Sequence, residues 1–223
     1  MSTQIYKRLK QEILRADIPA GSVLQEVELA SKYGCSRTPA REAVRRLVQE
    51  GLAVRHGRMY KVRQFTPSEV RDLYEVREGL EKMAVRLAIE RSSDSELASL
   101  MPHLERQAEA MAQRDKWAFN LLDTEFHLAI AALTRNTLLQ SDLAFIHDRV
   151  MLVRELELSR EQGMSNAIED HRRIVDALMR RNIDAAEAEM RYHVRSVIAL
   201  HHGYREPLPE RANAVQDSFS SAE

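Results

Sequence analysis

A single cysteine, Cys35, stands in the 223-residue chain, so no internal disulfide can form and nothing points to an oxidising compartment. No window approaches the roughly 18 continuous apolar residues of a membrane span. The opening MSTQIYKRLKQEIL lacks the apolar core of a signal peptide, so a cytoplasmic protein with no membrane segment is expected. Aromatic residues make up only 5% and glycines number seven, a scarcity that suits a mostly helical chain. The metalloprotease signature HExxH is absent. Net charge is scarce too, at -1 overall, but that small value conceals a division.

Residues 1–65 hold 13 Lys and Arg against 6 Asp and Glu, whereas residues 66–223 hold 20 against 28. A basic module therefore precedes an acidic one, and the length allows a small domain joined to a larger one. A basic head on a non-binding body is the layout of a polyanion binder; on charge alone DNA, RNA and membrane surfaces all fit.

The order of elements in the head narrows this. Ile5, Leu9, Ile13 and Leu14 predict a first helix over 4–16, closed by the turn Ile18-Pro19-Ala20-Gly21. A second short helix spans Glu26 to Lys32, ended by Tyr33-Gly34. A third begins after Ser36 or Thr38 as N-cap, with Pro39 in its first turn, and stops at Gly51. Its Ala40, Val44, Leu47 and Val48 share one face, while Arg37, Arg41 and Arg45 form a cationic edge with no carboxylate among them. Taken alone this is also the pattern of a solvated helix. Behind a short helix and a glycine turn it is a helix-turn-helix, with Arg37 and Arg41 at the end that meets base edges. Two short strands at Leu52-Ala53-Val54 and Tyr60-Lys61-Val62, turning at His56-Gly57-Arg58, add a basic hairpin resembling a wing.

The run Leu24-Gln25-Glu26, Leu29-Ala30, Gly34-Cys35-Ser36-Arg37-Thr38-Pro39, Arg41-Glu42-Ala43, Arg46-Leu47, Glu50-Gly51-Leu52 resembles the DNA-binding domain of GntR-type bacterial transcriptional regulators. The resemblance implies DNA contacts from Arg37 and Arg41, the hydroxyls of Ser36 and Thr38, and the wing glycine Gly57, with Arg45 and Arg58 alongside. It also implies two chains on a palindromic operator. Two positions depart from the family pattern: Val27 stands where many members carry Arg or Lys, and the wing HGRMYKV lacks the usual Arg-Pro-Gly-Arg-Gly start. Because an arginine can fork to guanine O6 and N7, a half-site containing GT is expected.

Thr66-Pro67-Ser68-Glu69 marks the domain boundary, with Ser68 as the expected cap. Beyond it the pattern predicts a bundle of six helices at about 68–91, 94–113, 116–133, 138–161, 165–181 and 184–204. The polar breaks are Ser92-Ser93, Arg114-Asp115, Arg135-Asn136, Gly163 and Arg181-Asn182. The fold is thus mainly α: a winged helix-turn-helix over 1–66, a helical domain over 67–206, and a tail over 207–223 expected to be disordered.

Asp123 and His127 lie one turn apart amid apolar residues, and His171 and His193 lie at matched distances either side of the turn at Arg181-Asn182. A single histidine is more often packed or exposed than a ligand, but four such groups at one level suit a first-row divalent metal, with zinc first and nickel or manganese also compatible. Residues 68–204 are similar to the all-helical effector domain of the FadR subfamily, often called FCD. Members with a metal draw it from an Asp-x3-His pair and two later histidines, which here are Asp123, His127, His171 and His193. His56, His103, His147, His201 and His202 fall outside that pattern. The same resemblance singles out Arg77 as a partner for a small carboxylate effector, and reflection across the Arg135-Asn136 turn singles out Arg149. The expectation is a dimeric regulator, taken to be a repressor, controlled by an organic acid at a metal. Its alternatives are a metal-dependent enzyme with a DNA-binding head and a regulator that senses the metal itself.

Overall fold

The computed structural model describes residues 2–154, 161–199 and 208–209. The head holds α1 (Ser2–Leu14), α2 (Glu26–Lys32), α3 (Arg37–Gln49), β1 (Ala53–His56) and β2 (Met59–Val62). The two strands pair antiparallel from Ala53–Val62 to His56–Met59, and Val23 bridges to Lys61 beside them. Leu9, Ile13, Ala40, Val44, Leu47 and Leu52 are buried in one core under the three helices. The turn is tighter than the sequence suggested, with Gly57 at φ 61, a left-handed value that a residue without Cβ adopts freely.

The second domain begins with α4 (Pro67–Arg91), followed by α5 (Asp94–Ala98), α6 (Met101–Ala112), α7 (Lys116–Leu133), α8 (Thr137–Arg154), α9 (Glu161–Met179) and α10 (Ile183–Ala199). No helix among the described residues is long and apolar enough to cross a membrane. The helix expected over 94–113 is two, because α5 ends at Ser99 and α6 restarts with Pro102 in its first turn, where a missing N–H costs nothing. Gly163 is not a break: α9 already starts at Glu161. The expected tail and the end of the 138–161 helix lie outside the described residues. α4 is central, packing against α7, α8 and α10, and its Tyr74, Ala84, Val85 and Ala88 join Phe126, Ile130, Leu143, Val150, Ile174 and Val194 in the bundle core.

Three of the predicted breaks share one construction. Arg114, Arg135 and Arg181 each take a left-handed φ of 56, 51 and 52, a conformation usually left to glycine, of which this chain has few. Asp115, Asn136 and Asn182 follow, and each side chain accepts from the backbone N–H three residues on, capping the next helix. Two of the arginines then cover the end of α4: Arg181 donates to the carbonyls of Ile89 and Ser92 at 2.8 Å, and Arg135 to that of Arg91. Those carbonyls have no partner within the helix.

α4 is capped by Thr66 rather than Ser68. Thr66 Oγ1 accepts from Glu69 N at 3.3 Å and Glu69 Oε2 accepts from Thr66 N at 2.9 Å, a reciprocal box with Pro67 in the first turn. Thr66→Ala should therefore cost about 1 kcal/mol in urea denaturation, while Ser68→Ala leaves the midpoint nearly unchanged. Equal losses from both would return the cap to Ser68.

Candidate metal centre and DNA-facing surface

Asp123 and His127 of α7, His171 of α9 and His193 of α10 meet at one dry point, each 0% exposed. One ligand atom from each lies within 4.8 Å of the others. His171 Nε2 is 3.3 Å from His193 Nε2 and 3.6 Å from Asp123 Oδ1; His127 Nε2 is 4.0 Å from Asp123 Oδ2. The far ring nitrogens turn outward to oxygen atoms. His127 Nδ1 lies 2.9 Å from Glu81 Oε1, His171 Nδ1 2.9 Å from Gln107 Oε1, and His193 Nδ1 3.6 Å from Asp170 Oδ2. Of these three contacts only that of His171 is a hydrogen bond, and an imidazole whose Nδ1 proton is so held presents a bare Nε2 lone pair on its other side.

These residues fit a divalent metal on two counts. The Nε2 atoms of His171 and His193 lie 3.3 Å apart, a separation at which either a shared proton or a cation must lie between them. Asp123 Oδ1, buried beside them, has no hydrogen-bond partner. Ionisation agrees. Burial pushes His127 down to about 3, with Glu81 pulling upward and Arg77 pushing further down, so its ring is neutral. Burial and the neighbouring His193 likewise hold His171 well below its ordinary value. Burial opposes ionisation of Asp123, but the guanidinium of Arg154 prevails and holds its carboxyl well below the usual range. Three imidazoles and a carboxylate oxygen are a donor set that zinc, nickel or manganese accepts.

Around this quartet lie groups that the sequence pattern did not single out. Arg154, from the last turn of α8, donates to Asp123 Oδ2. Glu81, one turn after Arg77 on α4, receives His147 Nε2 at 2.8 Å on the oxygen that faces His127. His147, set aside on spacing, is thus fully buried in a second group with Glu81 and His127. Gln107 and Asp170 complete the ring of outward acceptors. A signal was available: Arg77 and Glu81 sit on the apolar stripe Leu73, Tyr74, Ala84, Ala88, and His147 and Arg154 on the stripe Leu139, Leu143, Val150. A charged residue on a buried stripe needs a buried partner.

The effector candidates part company. Arg77 is at the centre, 0% exposed, with Nη2 2.9 Å from His127 Nε2 and Nε 3.5 Å from Glu81 Oε1. Its Nε and Nη1 have no hydrogen-bond partner. Arg149 is not brought to the cluster: its Nε donates to the Glu50 carbonyl of the head at 3.1 Å. Reflection across a turn fixes the level of a residue but not the direction of its side chain, and Arg149 faces the other way.

On the head, Ser36, Arg37, Thr38, Arg41 and Arg45 are exposed along the start and outer face of α3, and Gly57 and Arg58 are exposed at the wing tip. Ser36 is the N-cap residue, with no side-chain capping bond. A groove between α2, α3 and the wing is lined by Val23, Gln25, Val27, Arg37, Arg58 and Met59. The cationic edge is less bare than its helix suggested, since Arg41 Nε bonds both carboxylate oxygens of Glu26 on α2, at 3.1 and 2.9 Å.

Comparison with known proteins matches both parts. Residues 1–59 match the model for bacterial regulatory proteins of the gntR family, and residues 72–196 the FCD domain. The chain is 34% identical to the Nta operon transcriptional regulator of Aminobacter aminovorans, over 78% of this chain and 82% of that protein. It is 26% identical to the HTH-type transcriptional repressor RspR of Escherichia coli K12, over 88% and 87%. In fold it is similar to the solved structure of E. coli McbR/YncC, with a TM-score of 0.78 at 24% identity, covering 89% of this chain and 95% of that one.

Arg154 relies on Asp123 as its ion-pair partner in a site 3% exposed. Asp123→Ala should cost about 3–5 kcal/mol in urea denaturation of chelator-treated protein, the toll of an unpaired buried charge. A loss under about 1 kcal/mol, the scale of exposed pairs, would show the pair to be solvated.

Proposed function

The chain belongs to the GntR family and carries an FCD domain in the FadR-like manner, so it is a DNA-binding transcriptional regulator and not an enzyme; on that premise we propose that it is a cytoplasmic repressor that acts as a homodimer on a palindromic operator and is controlled by a small carboxylate at a divalent metal. Asp123, His127, His171 and His193 would hold the metal. The observation that carries this reading is the meeting of His127, His171 and His193 with Asp123 at one buried point, where Asp123 Oδ1 has no hydrogen-bond partner and His171 is held from behind by Gln107. Relatives include proteins named as repressors, among them RspR and the probable D-xylose utilization operon repressor of Paenarthrobacter nicotinovorans.

A bound divalent ion supplies a Lewis-acidic point able to take a carboxylate oxygen. Arg77 is the residue suited to the rest of that ligand, because its Nη1 is a buried donor without a hydrogen-bond partner and its Nε makes only the 3.5 Å ion pair with Glu81. It has a second part to play. Neutral His127 has one lone pair on Nε2, which can serve Arg77 or a metal but not both, so the two cations compete for it. The same competition would serve a regulator that reads the metal itself; operator release by zinc alone, with no acid, separates that reading from the acid-controlled one.

On the head, Ser36, Arg37, Thr38, Arg41 and Arg45, with Gly57 and Arg58 of the wing, are the proposed DNA contacts. Arg37→Ala should weaken binding to an operator recovered by selection from random DNA by about 1–3 kcal/mol, measured by fluorescence anisotropy. Unchanged affinity for operator and random DNA alike would overturn the assignment. At the metal, His171→Ala should lose zinc in calorimetric titration, while Arg77→Ala should bind it more tightly than the parent. A weaker metal in Arg77→Ala would remove the competition.

A further inference from the structure

α8 has two working faces. His147, Val150 and Arg154, at spacings of three and four, face the bundle, where His147 meets Glu81 and Arg154 meets Asp123. Asp148, Arg149 and Leu152 face the head. Met151 and Leu152 are 4% and 3% exposed and belong to the core of the head rather than that of the bundle. Asp148 receives Lys10 of α1, and Arg149 Nε donates to the carbonyl of Glu50, the C-cap residue of α3.

Glu50 is a junction. Its carboxylate, 7% exposed as a residue, accepts from Tyr6 Oη at 2.7 and 2.6 Å, from Lys10 at 3.3 Å and from Arg46 at 3.2 Å. The next residue, Gly51, has φ +74, and a Cβ there would come within 2.8 Å of Arg149 Nε and 2.9 Å of its Nη2. The guanidinium therefore lies close against the end of α3, at a residue that glycine suits on both steric and backbone grounds. Each backbone carbonyl beyond the last turn needs a donor, and here the donor comes from the other domain.

We infer that Arg149 is a positioning residue for the recognition helix, and that α8 ties the orientation of that helix to the Asp123 cluster one turn further along. Arg154 holds Asp123 Oδ2 while Oδ1 faces His171, so whatever binds at Oδ1 acts on the carboxylate that anchors α8. From Arg149 to Arg154 is five residues, about 7.5 Å of continuous helix. A change in the anchor is passed to Glu50 without a flexible segment between them. This inference rests on the proposed function only for a metal at the cluster.

The experiment is hydrogen–deuterium exchange of the backbone amides of residues 46–52 in the full chain, with chelator and with zinc, alongside operator affinity and calorimetric zinc affinity. In the parent, zinc should change exchange at 46–52 and shift operator affinity by roughly five-fold or more, in the range of ordinary coupling. Arg149→Ala should still bind zinc, with an affinity within about five-fold of the parent as the lost coupling allows, yet lose both responses, the operator shift falling below about two-fold, and Arg149→Lys, which keeps a donor, should restore part of them. A merely structural Arg149 would loosen 46–52 while leaving the zinc response intact, and that result overturns the inference, as does a parent that binds zinc with no change at 46–52. If zinc binds neither protein, the metal reading fails and a second arm decides: Asp123→Asn in chelator should alter exchange at 46–52 in the parent but not in the Arg149→Ala background. Equal alteration in both refutes the link.

Discussion

The buried pairing of Asp123 with Arg154 is the constraint on which the helical domain depends. Either charge alone would be costly at 0% and 3% exposure, and neither helix can satisfy its own member. Apolar packing tolerates exchange of one aliphatic residue for another and a small slip between helices; a charge pair does not. With Arg154 on α8 bound to Asp123 on α7, and Glu81 on α4 receiving His127 of α7 and His147 of α8, the three helices are held in one register. That register brings His127 to the same depth as His171 and His193. The candidate metal centre is thus a by-product of how the bundle solves its charge problem, as well as a site.

The same pairing bears on the kind of ligand the centre suits. Arg77 and Arg154 balance Glu81 and Asp123, and burial suppresses the protonated forms of His127, His147 and His171. A divalent ion would add positive charge to a dry, balanced cluster that already contains two guanidiniums. A carboxylate offsets half of that added charge, and Arg77, whose Nη1 has no hydrogen-bond partner, is placed to bind one. A neutral ligand would leave the added charge uncompensated at low dielectric. On this reasoning the proposed carboxylate and the proposed metal would be a matched pair, each making the other less costly to bury.

Much of this was legible in the chain. The second and third helices, the wing and the boundary at Thr66-Pro67 follow from caps, glycines and proline, which act locally. The quartet was legible because an i, i+4 pair and two histidines equidistant from a turn are geometric statements in one dimension. Arg154, Glu81 and His147 were not singled out, since their roles depend on which helix lies opposite, and α4 meets α8 across a long stretch of sequence. Arg149 shows the limit most clearly: its level along α8 was inferred but its direction was not, so a residue of the interdomain contact was assigned to the pocket. The split of 94–113 was missed because periodicity runs on through Ser99 and Leu100 while the chain does not.

The proposed control of DNA binding would need a ligand that favours one arrangement of the head over another. The contact between α8 and the head combines two kinds of force suited to this. Met151 and Leu152 sit in an apolar core, where contact is non-directional and small displacements cost little. Arg149 and Asp148 make directional bonds to the end of α3 and to α1. A slight movement of α8 therefore slides easily over the first pair but pulls on the second, and the pull falls on Glu50, where α3 ends. Because Arg37 and Arg41, the proposed base contacts, lie toward the opposite end of that thirteen-residue helix, a small rotation about Glu50 would be enlarged there. The lever arm is the recognition helix itself, about 20 Å long.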